Sequence, residues 1–99
     1  MMSEEKLEKE IKEKGLTAAR ITPSLIDSKI KEAKYHLFDG TCLIVCCLVL
    51  DNGYTVTGES ACASPENFDE DIGEKIAFDN AREKIWALEG YRLKEELAR

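Results

Sequence analysis

The sequence predicts an α+β fold: two N-terminal helices, a three-stranded antiparallel meander, and a long C-terminal helix packed on one face of the sheet. Three observations predict it. Asp39-Gly40 and Asn52-Gly53 are hairpin dipeptides that divide the middle of the chain into three strand-like runs. Thr22-Pro23 and Asp69 are helix-start signals on either side of those runs. Apolar residues recur every three or four positions between Ile72 and Leu88. A chain of 99 residues is one small domain, here a helical extension over 1–20 and a single α+β domain over 21–99. A chain this short buries about 65% of its unfolded surface, so a partner subunit would add to its stability.

Ser3 caps a first helix, SEEKLEKEIKEK, which Gly15 stops; acids in its first turn and Lys12 and Lys14 in its last suit the helix dipole. Leu7 and Ile11 are its only large apolar residues, so its packing stripe is thin. Thr22 is the cap of a second helix, with Pro23 at the first helical position and Ile21 and Ile26 at hydrophobic-staple spacing. Ile26, Ile30 and Ala33 make one apolar face and extend that helix from about Pro23 to Lys34.

Strands follow over Tyr35–Phe38, Thr41–Leu50 and Tyr54–Ala61. Two-residue turns of type I′ fix their register. Asp51 then faces Tyr54, Val49 faces Val56, Cys47 faces Gly58, Cys46 faces Glu59, Phe38 faces Thr41 and Tyr35 faces Ile44. One sheet face carries Phe38, Leu43, Val45, Cys47, Val49, Val56 and Gly58; the other carries Tyr35, Leu37, Ile44, Cys46, Leu48 and Leu50. Both faces of the middle strand are apolar, so both need cover. The long helix covers one, and either the 23–34 helix or another copy of the chain covers the other. Ser64-Pro65-Glu66 reads as a cap and first turn. Asp69 caps the long helix, from about Glu70 to Glu89, with Ile72, Ile76, Ala77, Ala81, Ile85 and Leu88 as its packing stripe. Gly90 ends it, and Tyr91 and Leu93 begin a short tail.

The formal charge is −6, which argues against a nucleic-acid or anionic-membrane surface. Helix, three antiparallel strands, helix is also the order of double-stranded-RNA-binding domains. Those grip phosphate with basic residues at the start of the last helix, where this chain has Asp69-Glu70-Asp71. The charged N-terminus shows no signal peptide, and the longest apolar run, Cys42 to Leu50, is too short to cross a membrane. The expected setting is the cytoplasm, with reduced cysteines.

The expected cofactors and metals are none, and no enzyme activity is expected. The cysteines lack zinc-site spacing, and the predicted register places no pair for a disulfide. His36 has no Ser or Cys placed as a nucleophile beside it. The acids at 69–71 lack a calcium loop's geometry: Gly73 is at the wrong offset, and Asn80 stands where the bidentate Glu belongs.

Six residues stand out as ligand or interface candidates. Asn80 interrupts the apolar stripe, where a buried amide must be hydrogen-bonded, most simply to backbone near Gly58–Ala63. Phe78, Arg82 and Trp86 repeat at i, i+4 and i+8, and aromatic residues with Arg are an interface signature. Glu59 is odd on an apolar patch, and Tyr91 follows the long helix. The expected function is non-enzymatic protein binding, as a homodimer. The alternative is a small-ligand binder for a nucleotide signal, with Trp86, Tyr91, Arg82 and Asn80 supplying stacking and polar contacts.

From Tyr35 onward the chain resembles a family of small tailed-phage proteins, the gene-product-49/gene-product-66-like family. The resemblance rests on TVTGESAC (Thr55–Cys62), Asn67-Phe68-Asp69 with Gly73 following, Lys75-Ile76-Ala77, Asn80-Ala81, and Ile85-Trp86 with Leu88-Glu89-Gly90-Tyr91. It covers about two-thirds of the chain and leaves the first twenty residues outside. It implies a phage or prophage gene product acting in a bacterial cytoplasm and no activity; the host or phage protein expected as partner rests instead on the two-sided sheet and the Phe78, Arg82 and Trp86 row. It carries over no catalytic residue.

Overall fold

The computed structural model describes residues 3–16 and 18–99. Within the 1–20 extension, Met1, Met2 and Thr17 lie outside the described residues. The elements are α1 (Glu4–Glu13), α2 (Pro23–Ser28), β1 (Ile30–Leu37), β2 (Ile44–Leu50), β3 (Thr55–Ser60), a 3-10 turn (Pro65–Asn67) and α3 (Glu70–Leu97). The strands form one antiparallel sheet in the order β1-β2-β3, and α3 lies across it. The architecture is the expected α+β one.

The helix starts form as their local chemistry dictates. Ser3 accepts from the Lys6 amide, Thr22 from Leu25 and Asp69 from Ile72. Each thereby satisfies one amide that the first turn of a helix leaves without a partner. Ile26 is fully buried, and Ile21 packs beside the same core, as a hydrophobic staple requires.

The second helix is shorter than expected. It ends at Ser28, and residues 30–34 belong to β1. Ile30 and Ala33 are three apart, a helical spacing, yet both pack on the core from a strand. A bulge between Ile30 and Glu32 makes this possible, because one extra residue returns Ala33 to the face of Ile30. The alternation Ala33, Tyr35, Leu37 against Glu32, Lys34, His36 then runs the length of β1. Pairing along the apolar β2 outweighs helix propensity here.

Both turns differ from the two-residue type I′ form, and among the described residues no non-glycine residue has positive φ. At the first, Phe38 and Leu43 close a four-residue loop in which Gly40 has φ of 78°. Tyr35 consequently faces Cys46, not Ile44. A shift of two leaves the faces unchanged. At the second, the Gly53 amide donates to Leu50 and the Leu50 amide to Tyr54, giving a three-residue loop with Gly53 at φ of 88°. The register of β3 slips by one: Cys46 faces Gly58 and Leu48 faces Val56. A slip of one exchanges the faces of a strand. Val56 and Gly58 therefore sit under α3, with Thr55, Thr57 and Glu59 on the other side.

Ile44, Cys46, Leu48, Leu50 and Val56 of the sheet meet Ala77, Ala81 and Ile85 of α3 and Ile26 of α2 in one core. Burial of the Ile and Leu side chains contributes roughly 1.5–3 kcal/mol each. Because Ile26 enters this core, α2 lies on the same side of the sheet as α3. Among the described residues no element covers the other face of the sheet.

The stripe by which α3 packs is Gly73, Ala77, Ala81, Ile85 and Glu89, a strict spacing of four. Ile72, Ile76 and Leu88, expected in the stripe, are exposed. Gly58 explains the small residues. A Cβ there would overlap the Ala81 nitrogen and the Ala77 oxygen and lie 2.7 Å from the carbonyl carbon of Asn80. The helix backbone rests directly on the strand, leaving space beneath it only for glycine and alanine.

Gly90 does not end the helix, which continues to Leu97. One exposed glycine costs about 1 kcal/mol in a helix interior. Arg92 bridges Glu89 and Glu96 across it, at 2.9 and 2.7 Å, among residues of good helix propensity. At 28 residues α3 is about 42 Å long. The seven-residue β2 spans only about 23 Å, so the C-terminal turns of α3 extend past the sheet.

Candidate functional site

The Phe78–Arg82–Trp86 row lies on the flank of α3 that faces the N-terminal helices. Phe78 and Trp86 pack against the core. Arg82 donates from Nε to Asp27 at 2.8 Å, from Nη1 to Glu4 at 2.7 Å and from Nη2 to the Pro23 carbonyl at 3.4 Å. One guanidinium thus joins α3, α2 and α1. The hydrogen bond to Glu4, outweighing the cost of burial, raises its pKa above the usual arginine value. Nearby, Arg20 grips both oxygens of Glu8, at 2.7 and 2.8 Å, and fixes α1 to the approach to α2. Phe78 and Trp86 thus flank the core, and Arg82 between them is held by the chain's own N-terminal segment.

Asn80 is on the opposite flank. Its amide donates to the Glu59 carbonyl at 2.8 Å, which ties α3 to the edge strand β3 within the expected Gly58–Ala63 stretch. Asn80 is exposed, because the true stripe passes through Ala77 and Ala81. Tyr91 is 71% exposed on the part of α3 beyond Gly90. Arg82, Asn80 and Tyr91 therefore do not converge on one cavity.

The uncovered sheet face is ordered by the register. Val45, Cys47 and Val49, all half-buried, run down its centre. His36, Lys34 and Glu32 flank them on β1, and Glu59, Thr57 and Thr55 on β3, in matched rows. Phe38, exposed, stacks edge-on against His36 at 4.4 Å and extends the apolar line at one end. His36 and Glu59 occupy the same row with Val45 between them, two strand spacings or about 10 Å apart. Glu59 thus belongs to this face, not opposite Cys46.

Two further features escaped the sequence reading. Glu89 occupies the last position of the packing stripe, buried, with Arg92 at 2.9 Å and Lys29 at 3.9 Å. Extending the spacing of four from Ile85 would have found it. At the other end of the sheet, Cys42, Ser60, Cys62, Asn67, Phe68, Ile72 and Ile76 are among the residues lining a small cleft of about 110 Å³ beside the start of α3.

A family model described as Phage protein (N4 Gp49/phage Sf6 gene 66) family matches residues 21–97. No curated protein and no solved structure matches the chain. No helix among the described residues is long and apolar enough to cross a membrane. The chain belongs to this phage protein family.

Proposed function

We propose that this phage protein acts in the bacterial cytoplasm, from a phage or prophage gene, by binding protein and not by catalysis. The first occupant of its open sheet face is a second copy of itself. The observation that carries the proposal is the apolar row Val45, Cys47, Val49 on a face without cover, set between unlike edges. A two-fold axis parallel to the strands lays β1 of one copy over β3 of the other. Lys34 and His36 then approach Thr57 and Glu59 of the partner subunit, and the apolar rows stack on each other. In this arrangement no like charges meet, and His36 lies over Glu59 of the partner subunit.

Its size limits the affinity. Three strands by six or seven residues give about 14 by 20 Å, near 300 Å², against roughly 800 Å² per partner in a stable interface. The expected dimer is therefore in the micromolar range or weaker, and a host or phage protein can compete for the same face. The small-ligand reading has no comparable support, since Arg82 is held by Glu4, Asp27 and the Pro23 carbonyl.

Sedimentation equilibrium from micromolar to millimolar concentrations tests the proposal. The wild type shifts toward dimer mass as concentration rises. Thr57→Lys, which sets a like charge against Lys34 of the partner subunit from an exposed position, stays monomeric. A wild type that is monomeric throughout, or a variant that dimerises equally well, contradicts it.

A further inference from the structure

The corrected register brings two cysteines together that the sequence reading kept apart. The β2–β3 ladder ends at Ile44 opposite Ser60. Beyond that pair Cys42 lies in the β1–β2 loop and Cys62 in the segment after β3, near enough for the two thiols to share a hydrogen bond. A bond between them requires Cα atoms within about 7 Å of each other. Both residues line the cleft beside the start of α3, and both are half-buried thiols.

We propose that Cys42 and Cys62 form a redox-active dithiol that closes to a disulfide, fastening the β1–β2 loop to the segment after β3 across the mouth of this cleft. Hydrogen bonding to Cys62, and after it burial, raises the pKa of Cys42. The Cys62 sulfur can also donate to the Ser64 carbonyl, at 3.4 Å. Among the described residues no cluster of three His, Cys, Asp or Glu side chains could hold a metal ion, so the chemistry is that of two thiols alone.

The oxidant is a small-molecule disulfide such as oxidised glutathione. Cys62 loses its proton and attacks one sulfur of that disulfide, expelling the first glutathione thiolate and forming a mixed disulfide. Cys42 then loses its proton and attacks the Cys62 sulfur, expelling the second. The two protein thiols lose two electrons, the small disulfide gains them, and the two released protons end on the two glutathione thiols. Cys46 is fully buried and Cys47 points to the opposite face of the sheet, so neither competes for this bond.

The test is equilibration of the reduced protein in glutathione redox buffers, acid quenching, alkylation and intact-mass measurement, with peptide mapping. The expected product is a monomer lighter by two hydrogens. Cys42 and Cys62 are linked in it, and Cys46 and Cys47 are alkylated after unfolding. The Tm rises by about 10 °C on oxidation and falls back with dithiothreitol. Cys42→Ser and Cys62→Ser each abolish the product, whereas Cys47→Ser retains it. Mapping on the wild type reads the linkage whether or not the variants fold. Stable glutathione adducts without ring closure, a bond involving Cys46 or Cys47, or dimers linked through these thiols overturn the proposal.

Discussion

Replacing Gly58 by alanine tests how the helix and sheet are joined. The added methyl would meet backbone atoms only: the Ala81 nitrogen, the Ala77 oxygen and the Asn80 carbonyl carbon at 2.7 Å. No rotamer change relieves such a contact, so α3 must lift from the sheet. Lifting loosens Ala77, Ala81 and Ile85 together and stretches the Asn80–Glu59 hydrogen bond. Overpacking of this kind costs roughly 1–3 kcal/mol, and a weakened hydrogen bond adds about 1 kcal/mol. Reduced freedom of the unfolded chain offsets about 0.5–1 kcal/mol. The expected net loss is about 1–3.5 kcal/mol, a large share of the 5–15 kcal/mol typical of a domain. In a chain of this size that lowers Tm by roughly 10–20 °C. Urea and thermal unfolding, followed by circular dichroism and Trp86 fluorescence, measure it. The same substitution at Gly90, exposed and with nothing near its missing Cβ, should stabilise by about 0.5–1 kcal/mol. A Gly58→Ala protein as stable as the wild type would refute the close seating of α3 on β3.

Other expectations follow from the contacts. Arg82→Met keeps the aliphatic stem but releases Glu4 and Asp27; with solvent screening discounted, it should cost about 1–2 kcal/mol and speed tryptic cleavage at Lys14 and Arg20. Unchanged proteolysis would contradict its role in joining α1 and α2. The hydrogen bond from Arg20 holds the Glu8 carboxyl below the usual glutamate range. Its contribution to stability is therefore full above that range and disappears as pH falls through the lowered value. A carboxyl-carbon NMR titration should show a depressed midpoint that Arg20→Ala restores; a midpoint unmoved by that change would count against the pair. Asp69→Ala removes the cap on Ile72 and should cost about 1 kcal/mol by urea unfolding.

The pattern of what the sequence revealed follows the range of the interactions. Ser3, Thr22 and Asp69 act on amides three residues away, so their caps are legible from neighbours alone. The alternation of β2 likewise shows which of its residues share a face, although not which face α3 covers. Register is different. It depends on one residue of loop length at Asn52-Gly53, and that residue moves Val56, Gly58 and Glu59 to opposite faces and brings Cys62 to Cys42. The stripe of α3 depends in turn on Gly58, because only a close approach selects Gly73 and Ala77 over Ile72 and Ile76. Gly90 signals a stop only where its neighbours do not support further turns, and Arg92 with Glu89 and Glu96 does support them. Among the candidate residues, Phe78, Arg82 and Trp86 share one flank of α3, the aromatic pair against the core and Arg82 against α1 and α2. Spacing cannot show that the chain's own N-terminal segment holds Arg82.

Amide chemical shifts recorded as the protein is concentrated test the proposed self-association most directly. The account predicts concentration-dependent shifts at Lys34, His36, Val45, Cys47, Val49, Thr57 and Glu59, with Ile72, Ile76 and Tyr91 unmoved. Shifts confined to the exposed side of α3, or none at any concentration, would contradict it.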